Sequence, residues 1–215
     1  MLITWLGQSC FKIQVKNDGQ EITIVTDPFE GSVGLRAPSL GAEIVTVSHD
    51  HYDHNNLDAV RGTPFVVNTP GEYETKGVFI YGIPSWHDKV EGKEKGTNTI
   101  YRINAEDLSI VHLGDLGQAT LTEEQKEKLS SVDVLLIPVG GGATLDGKDA
   151  AALVAELEPR IVIPMHYKIP GLKIDLDGLD KFIKNLGLKA ETTDKLRIAK
   201  KDLPQEETKL YILTP

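Results

Sequence analysis

The stretch Ile44-Val45-Thr46-Val47-Ser48-His49-Asp50-His51-Tyr52-Asp53-His54 decides both the architecture and the chemistry. Its first five residues are β-branched or small, the make-up of a buried strand. Its last six hold three histidines and two aspartates. Side chains that leave a strand end ride on a rigid scaffold while converging in a loop. A lone loop histidine says little. Alternating imidazoles and carboxylates at a strand end point to a metal site, because both bind zinc at about 2.0–2.2 Å. Adjacent side chains cannot all reach one ion, so His49 and His51 are expected to serve one metal, and Asp53 and His54 a second.

Outward from this stretch the chain alternates short β-rich runs with turns. Leu2–Leu6, Cys10–Val15 and Glu21–Thr26 read as strands, with Asn17-Asp18-Gly19 turning between the last two. Glu43–Ser48, Pro64–Val67, Val78–Ile83, Thr99–Ile103 and Ser109–Leu113 continue the pattern. Asn55–Arg61 reads as a short helix beside capping asparagines. Glu72 and Glu74 fall in a Pro-Gly-Glu-Tyr-Glu turn and are read as structural. In the second half, Thr122–Leu129 reads as a helix whose Thr122 and Gln125 have capping-box spacing. Asp133–Val139 and Arg160–Met165 are buried strands with the loop Gly140-Gly141-Gly142 between them. Asp149–Leu157 is a helix stopped by Pro159, Leu176–Leu186 an amphipathic helix closed by Gly187, and Lys209–Leu213 a last strand. Strands followed by helices in both halves give an α/β (α+β) class, with sheet and helix layers around one core. No repeat or linker divides residues 1–215, which read as a single domain.

Composition bounds the function. Hydrophobic residues are 40% and charged residues 26% of the 215, ordinary for a globular chain. Cys10 is the one cysteine, so an internal disulfide and a thiolate-only zinc site are both excluded. No apolar run approaches the roughly 18 residues of a membrane span. Met1–Phe11 lacks a basic leader and reads as a strand rather than a signal peptide. The expectation is a cytoplasmic protein without membrane association. A net charge of −9 has the wrong sign for clinging to nucleic acid, so the expected partner is a small-molecule substrate. Nothing in the sequence speaks to oligomeric state.

His49-Asp50-His51-Tyr52-Asp53-His54 matches the H-x-H-x-D-H signature, and by it the chain resembles the metallo-β-lactamase superfamily. Other motifs follow in that family's order. Thr26-Asp27-Pro28 is similar to its first aspartate motif, Gly114-Asp115 to its bridging aspartate, and Pro164-Met165-His166-Tyr167 to its last histidine. Thr4-Trp5-Leu6-Gly7-Gln8-Ser9-Cys10-Phe11 resembles a metal-dependent hydrolase branch that includes ascorbate-6-phosphate lactonase. The matches run from residue 1 to about residue 170. The family's Gly-His-Thr-x-Gly-like third motif is missing. His87, after the run Val78–Ile83, and His112, three residues before Asp115, are the candidates for its histidine; His87 is the expected ligand and His112 a core imidazole.

The resemblance implies an αββα sandwich of two mixed sheets flanked by helices. It also implies two divalent cations. His49, His51 and His87 would hold one, Asp53, His54 and His166 the other, with Asp115 bridging and Asp27 orienting a ligating imidazole. The donor set suits zinc first, with manganese, nickel or iron compatible. The implied reaction is hydrolysis of a small ester, lactone or phosphoester by a metal-bridging hydroxide, positioned by Asp53. Tyr167 and Lys168 are candidate proton donors or oxyanion contacts. Asp88–Asn98 is either a substrate rim or a plain hairpin loop, and Gly140-Gly141-Gly142 only weakly resembles an anion cradle. Asp50 and Asp88 are read as lying outside the ligand set, and Cys10 as inert core. The competing functions are a nuclease or phosphodiesterase of short nucleic acids, a di-iron reductase, and a non-catalytic metal-binding protein. The di-iron enzymes typically place Glu where His51 stands and need a flavin module.

Overall fold

Alternate residues of a strand go to opposite faces of its sheet. In the computed structural model, which describes residues 1–215, this alternation separates two apolar layers. The first half of the chain forms β1 (Leu2–Gly7), β2 (Cys10–Asn17), β3 (Gln20–Thr26), β4 (Leu40–Gly41), β5 (Ile44–Thr46), β6 (Val60–Arg61), β7 (Phe65–Val67), β8 (Gly71–Thr75) and β9 (Val78–Trp86). The second forms β10 (Thr97–Ala105), β11 (Leu108–His112), α1 (Glu123–Lys128), β12 (Val134–Pro138), α2 (Gly147–Leu157), β13 (Ile161–Met165), α3 (Asp180–Leu186), β14 (Ala190–Thr193), β15 (Leu196–Arg197) and β16 (Lys209–Leu213).

Two mixed sheets result, as the αββα expectation requires. One has the order β15-β1-β2-β3-β5-β7, and the other β14-β16-β13-β12-β11-β10-β9-β8. Ile24 and Ile44 pack into the main core with Trp5, Ile80 and Ile100, whereas their neighbours Val25 and Val45 join Phe29 and Val60 in a second cluster. The central strands β12 and β13 are buried at every position, as parallel strands covered on both sides must be. Helices α2 and α3 pack on each other, with Leu153 and Phe182 in the main core. The second cluster is covered mainly by single turns and loops, including the 3₁₀ turns Gly31–Val33 and Leu57–Ala59.

Strand directions gather the functional side chains. β3 and β5 are parallel, so Asp27 and the His49–His54 segment emerge at one edge of the first sheet. In the second sheet β9 and β11 are each antiparallel to β10, and β11, β12 and β13 are mutually parallel. The ends of β9, β11 and β13, which carry His87, Asp115 and His166, therefore face the same way.

Several local expectations meet corrections. Asn55–Arg61 is not a helix: one 3₁₀ turn, Leu57–Ala59, runs into β6, whose Val60 pairs with Leu40. The asparagines serve loops instead, Asn55 donating to Asp50 and Asn56 to the Phe29 carbonyl. Residues 71–75 are an edge strand on β9 rather than a turn. The third helix begins only at Asp180, because the Asp177 N–H is drawn to the Gly140 carbonyl at 2.8 Å. The α1 capping box forms as read, with Thr122 Oγ1 accepting from the Gln125 N–H and Gln125 Oε1 from the Thr122 N–H. Helix α2 is capped by Asp146 and starts two residues before Asp149.

Candidate metal centre

Asp27 organises the first-sheet half of the site. It follows β3 with a left-handed φ of 39°, and its N–H donates to the Thr46 carbonyl at 2.9 Å. Its carboxylate accepts from the Ser48 N–H at 2.8 Å, the Ser48 hydroxyl at 2.6 Å and His54 Nδ1 at 2.9 Å. Burial opposes its ionisation, but the imidazoles of His112, His54 and His49 prevail and hold its carboxyl below the usual range. An ionised carboxylate only accepts, so both His54 Nδ1 and the Ser48 hydroxyl donate to it. The Ser48 oxygen, 2.9 Å from His49 Nδ1, is then free to accept from that ring. One buried carboxylate thereby holds the Nδ1 edges of both rings and turns Nε2 of His49 and of His54 toward the other donors.

Those atoms meet the second-sheet residues at Asp115. Its Oδ2 lies 3.2 Å from Nε2 of His54, 3.4 Å from that of His87, 3.4 Å from that of His166 and 3.9 Å from that of His49. Asp53 Oδ2 lies 3.3 Å from His54 Nε2 and 3.9 Å from His166 Nε2. Two groups of three donors result, His49-His51-His87 and Asp53-His54-His166, each with its ligand atoms within 4.8 Å of one another. A third such group, Asp27-His49-His54, is already saturated by the hydrogen bonds above. The structure thus brings His49, His51, Asp53, His54, His87, Asp115 and His166 together, and all but the half-buried His49 and His51 are buried.

The electrostatics are those of a cation-binding pocket. Burial opposes ionisation of Asp115 and Asp53, but the facing imidazoles hold both carboxyls well below their ordinary range. Burial, reinforced by His54, pushes His49 down to about 3, and burial also lowers His87, so both rings are neutral and ready to ligate. His54 moves the other way: burial resists, yet Asp115, Asp27 and Asp53 raise it well above its usual value. The carboxylates demand positive charge at this point. Buried Nε2 atoms of His49, His54 and His166 and Oδ1 of Asp115 have no hydrogen-bond partner, which is costly for polar atoms out of water. Imidazole nitrogens and carboxylate oxygens that converge without partners fit divalent cations.

Supporting residues include some without a motif to announce them. Gln8, in the β1–β2 turn with φ 50°, donates from Nε2 to Asp53 Oδ2 at 3.3 Å, while its carbonyl accepts from the His166 N–H at 3.1 Å. His166 itself has φ 50°, so Gln8, Asp27 and His166 all hold the left-handed backbone that side chains resist, a recurrent cost of functional sites. Asn98 Oδ1 accepts from the Asp115 N–H at 2.9 Å. Gly114, at φ 57°, makes that approach possible, since a Cβ there would strike Asn98 and Ser48. Gln8 and Gly114 stand within motifs recognisable in the sequence, whereas Asn98 has no such signal.

Other expectations divide. His87 faces the cluster; His112 does not, being fully buried with Nε2 on the Ser9 carbonyl at 2.8 Å and Nδ1 accepting from the Gly114 N–H. Asp50 lies outside, bonded to Asn55. Asp88 turns into its own loop, where four backbone N–H groups overcome the cost of burial and hold its carboxyl at about 2. Tyr167 and Lys168 are drawn into structural roles. Tyr167 stacks on Trp5 at 5.0 Å and is buried, and the Lys168 ammonium donates to the carbonyls of Leu172 and Ile174. Cys10 is buried core.

The cluster opens into a cleft of about 330 Å³, walled on the outside by Tyr52, Lys95, Gly142, Ala143 and Asp175. A larger hollow of about 620 Å³ against β9 and α1 contains none of the seven residues, so size does not mark the site.

Residues 2–166 match the family model of the beta-lactamase superfamily domain. The chain is 31% identical over 226 residues to a UPF0173 metal-dependent hydrolase of Methanopyrus kandleri, covering 89% of this chain and 95% of that protein. A Thermotoga maritima protein assigned as a zinc-dependent hydrolase of the metallo-beta-lactamase superfamily superposes with a TM-score of 0.78. The two share 34% identity over 99% of this chain and 98% of that one. A metallo hydrolase from Ignicoccus hospitalis, 22% identical over 86% of this chain and 90% of that one, shares the fold at a TM-score of 0.61. Family match, shared architecture and the His/Asp cluster at the common strand edge agree: this chain belongs to the metallo-β-lactamase superfamily.

Proposed function

We propose that the protein is a metal-dependent hydrolase that uses two divalent cations, zinc foremost, to cleave a small ester, lactone or phosphoester. The observation that carries this reading is the position of Asp115 Oδ2, within 3.2–3.9 Å of four imidazole nitrogens contributed by both sheets. His49, His51 and His87 would hold one cation and Asp53, His54 and His166 the other, with Asp115 shared. Two cations held by these residues would supply an acidified water as nucleophile near neutral pH and a counter-charge for the negative charge that develops on the substrate.

The chain's own residues prepare the site. Asp27 and Ser48 orient the His54 and His49 rings before any ligand arrives, so their alignment costs nothing later. Gln8 pins the Asp53 carboxylate at the cleft wall, where Asp53 serves as the catalytic acceptor that positions the attacking water. The 330 Å³ cleft is of small-molecule size. No helix is long and apolar enough to cross a membrane.

Zinc-loaded protein offered 4-nitrophenyl acetate, dihydrocoumarin and bis(4-nitrophenyl) phosphate should hydrolyse at least one. Asp115→Asn and His51→Ala should lower that rate at least about 100-fold while circular dichroism stays unchanged. Equal turnover by folded variants would dismiss the reading.

A further inference from the structure

Lys95 is the only lysine or arginine on the wall of the cleft that holds the His/Asp cluster. Lys89 and Lys93, on the same loop, are paired with Asp149 and Glu91. The Lys95 ammonium has no acidic partner; its only side-chain-directed bond runs from its backbone N–H to Asp88. That bond belongs to an anchor. The Asp88 carboxylate accepts from the N–H groups of Val90 at 2.9 Å, Gly92 at 2.8 Å, Glu94 at 2.9 Å and Lys95 at 2.7 Å. A loop wound on one carboxylate holds the Lys95 backbone beside the cleft, so that only the side chain remains to be ordered on binding.

The Gly140–Thr144 turn supplies a second observation on the same cleft. Gly141 and Gly142 have φ of 72° and 68°, and Thr144 Oγ1 closes the turn on the Gly141 carbonyl at 2.9 Å. The N–H groups of Gly142 and Ala143 have no acceptor within the chain, and both residues line the cleft. Successive free N–H groups in a turn favour an anion. Asp175, exposed on the same rim, and Asp177, whose Oδ2 lies 3.4 Å from where a Gly141 Cβ would stand, both repel one, which leaves Lys95 as the side chain that can attract it. In a chain of net charge −9, a cation on the cleft wall gives an anionic group a place to be held apart from the His/Asp cluster.

We propose that this cleft selects substrates bearing an anionic group, carboxylate or phosphate, away from the bond that is cleaved. Lys95 recognises that group, and the Gly142 and Ala143 N–H groups assist. This rests on the hydrolase reading above and names the substrate class for it. A lysine binds as a flexible point charge, so it sets selectivity without demanding one anion geometry.

The test compares zinc-loaded wild type with Lys95→Ala, Lys95→Arg and Lys95→Glu on two esters that differ in charge, mono-4-nitrophenyl glutarate and 4-nitrophenyl butyrate. The ratio of kcat/KM, anionic over neutral, should fall about tenfold in Lys95→Ala, recover in Lys95→Arg and invert in Lys95→Glu. An equal ratio in all four proteins overturns the proposal. If neither ester is cleaved, hydrolysis is in question rather than recognition, and calorimetry decides. Glutarate or 3-phosphonopropionate should then bind the wild type about tenfold more tightly than Lys95→Ala, the tighter of the two identifying carboxylate or phosphate. Equal affinities for wild type and variant overturn the proposal.

Discussion

Asp27 reaches His49 without touching it: the Ser48 hydroxyl lies 2.6 Å from the carboxylate and 2.9 Å from Nδ1 of the ring. The same Asp27 oxygen takes the Nδ1 proton of His54 directly, at 2.9 Å. One residue behind the site therefore sets two of its imidazoles, one belonging to each group of donors.

Asp27→Asn should uncouple this arrangement. An amide nitrogen cannot accept from His54 Nδ1, so that ring loses its fixed tautomer. Zinc affinity, measured by competition with a chromophoric chelator, should fall about 10- to 100-fold. Ser48→Ala should produce a smaller loss, because only His49 is released. Affinity equal to wild type in Asp27→Asn would contradict the assignment.

Gln8 makes a comparable claim on the opposite wall. Gln8→Leu keeps the bulk but removes the amide that donates to Asp53 at 3.3 Å. Zinc affinity should weaken about tenfold with little change in melting temperature. A variant that binds zinc as wild type does would reduce Gln8 to a packing residue.

Gly117 joins two walls of the cleft through its N–H, which donates to the Trp86 carbonyl at 2.9 Å. A Cβ there would collide with the carbonyls of His87 and Ala143, both backbone atoms with nowhere to retreat. Gly117→Ala should cost about 1–3 kcal/mol by overpacking. For a domain of this size that lowers the melting temperature by roughly 2–12 °C. An unchanged melt would show that the two walls move freely.

Asp146 gives a pH dependence away from the site. Its carboxylate caps α2 through the N–H groups of Lys148 and Asp149 and pairs with the Lys181 ammonium at 2.6 Å. The Lys181 bond first, then the capping bonds, pull it down to about 2. A carboxyl depressed on folding stabilises fully above its unfolded value near 3.9 and ceases to do so as pH falls through its folded value. Asp146→Ala should therefore cost about 1 kcal/mol at neutral pH, the usual worth of a cap. The wild-type and variant denaturation curves should converge between about pH 4 and pH 2. A constant gap across that range would contradict the assignment.

Much of this was legible in the chain. Ile44–Thr46 declared a buried strand through β-branched composition, and the six residues His49–His54 declared a ligand loop through residue type alone. His87 was harder to separate from His112, since one follows an apolar run and the other lies in a strand three residues before Asp115. What separates them is that the Ser9 carbonyl and Gly114 N–H occupy both nitrogens of His112, contacts made across more than 100 residues in the first case. Ser48, Asn98 and Gln8 carry no signal of their own; their roles depend on which strand ends meet. Asn55–Arg61 misled because asparagines resemble helix caps, while here tertiary partners at Asp50 and Phe29 claim their side chains. The edge strand Gly71–Thr75 was hidden by Gly71 and its charged, exposed faces, which suit an edge as readily as a turn.

Anomalous diffraction at the zinc edge, from crystals grown with zinc, tests the central claim most directly. The account predicts two peaks, one bounded by His49, His51 and His87 and the other by Asp53, His54 and His166, with Asp115 reaching both. No peak among these seven side chains, or a single peak held by only one of the two groups, would contradict it.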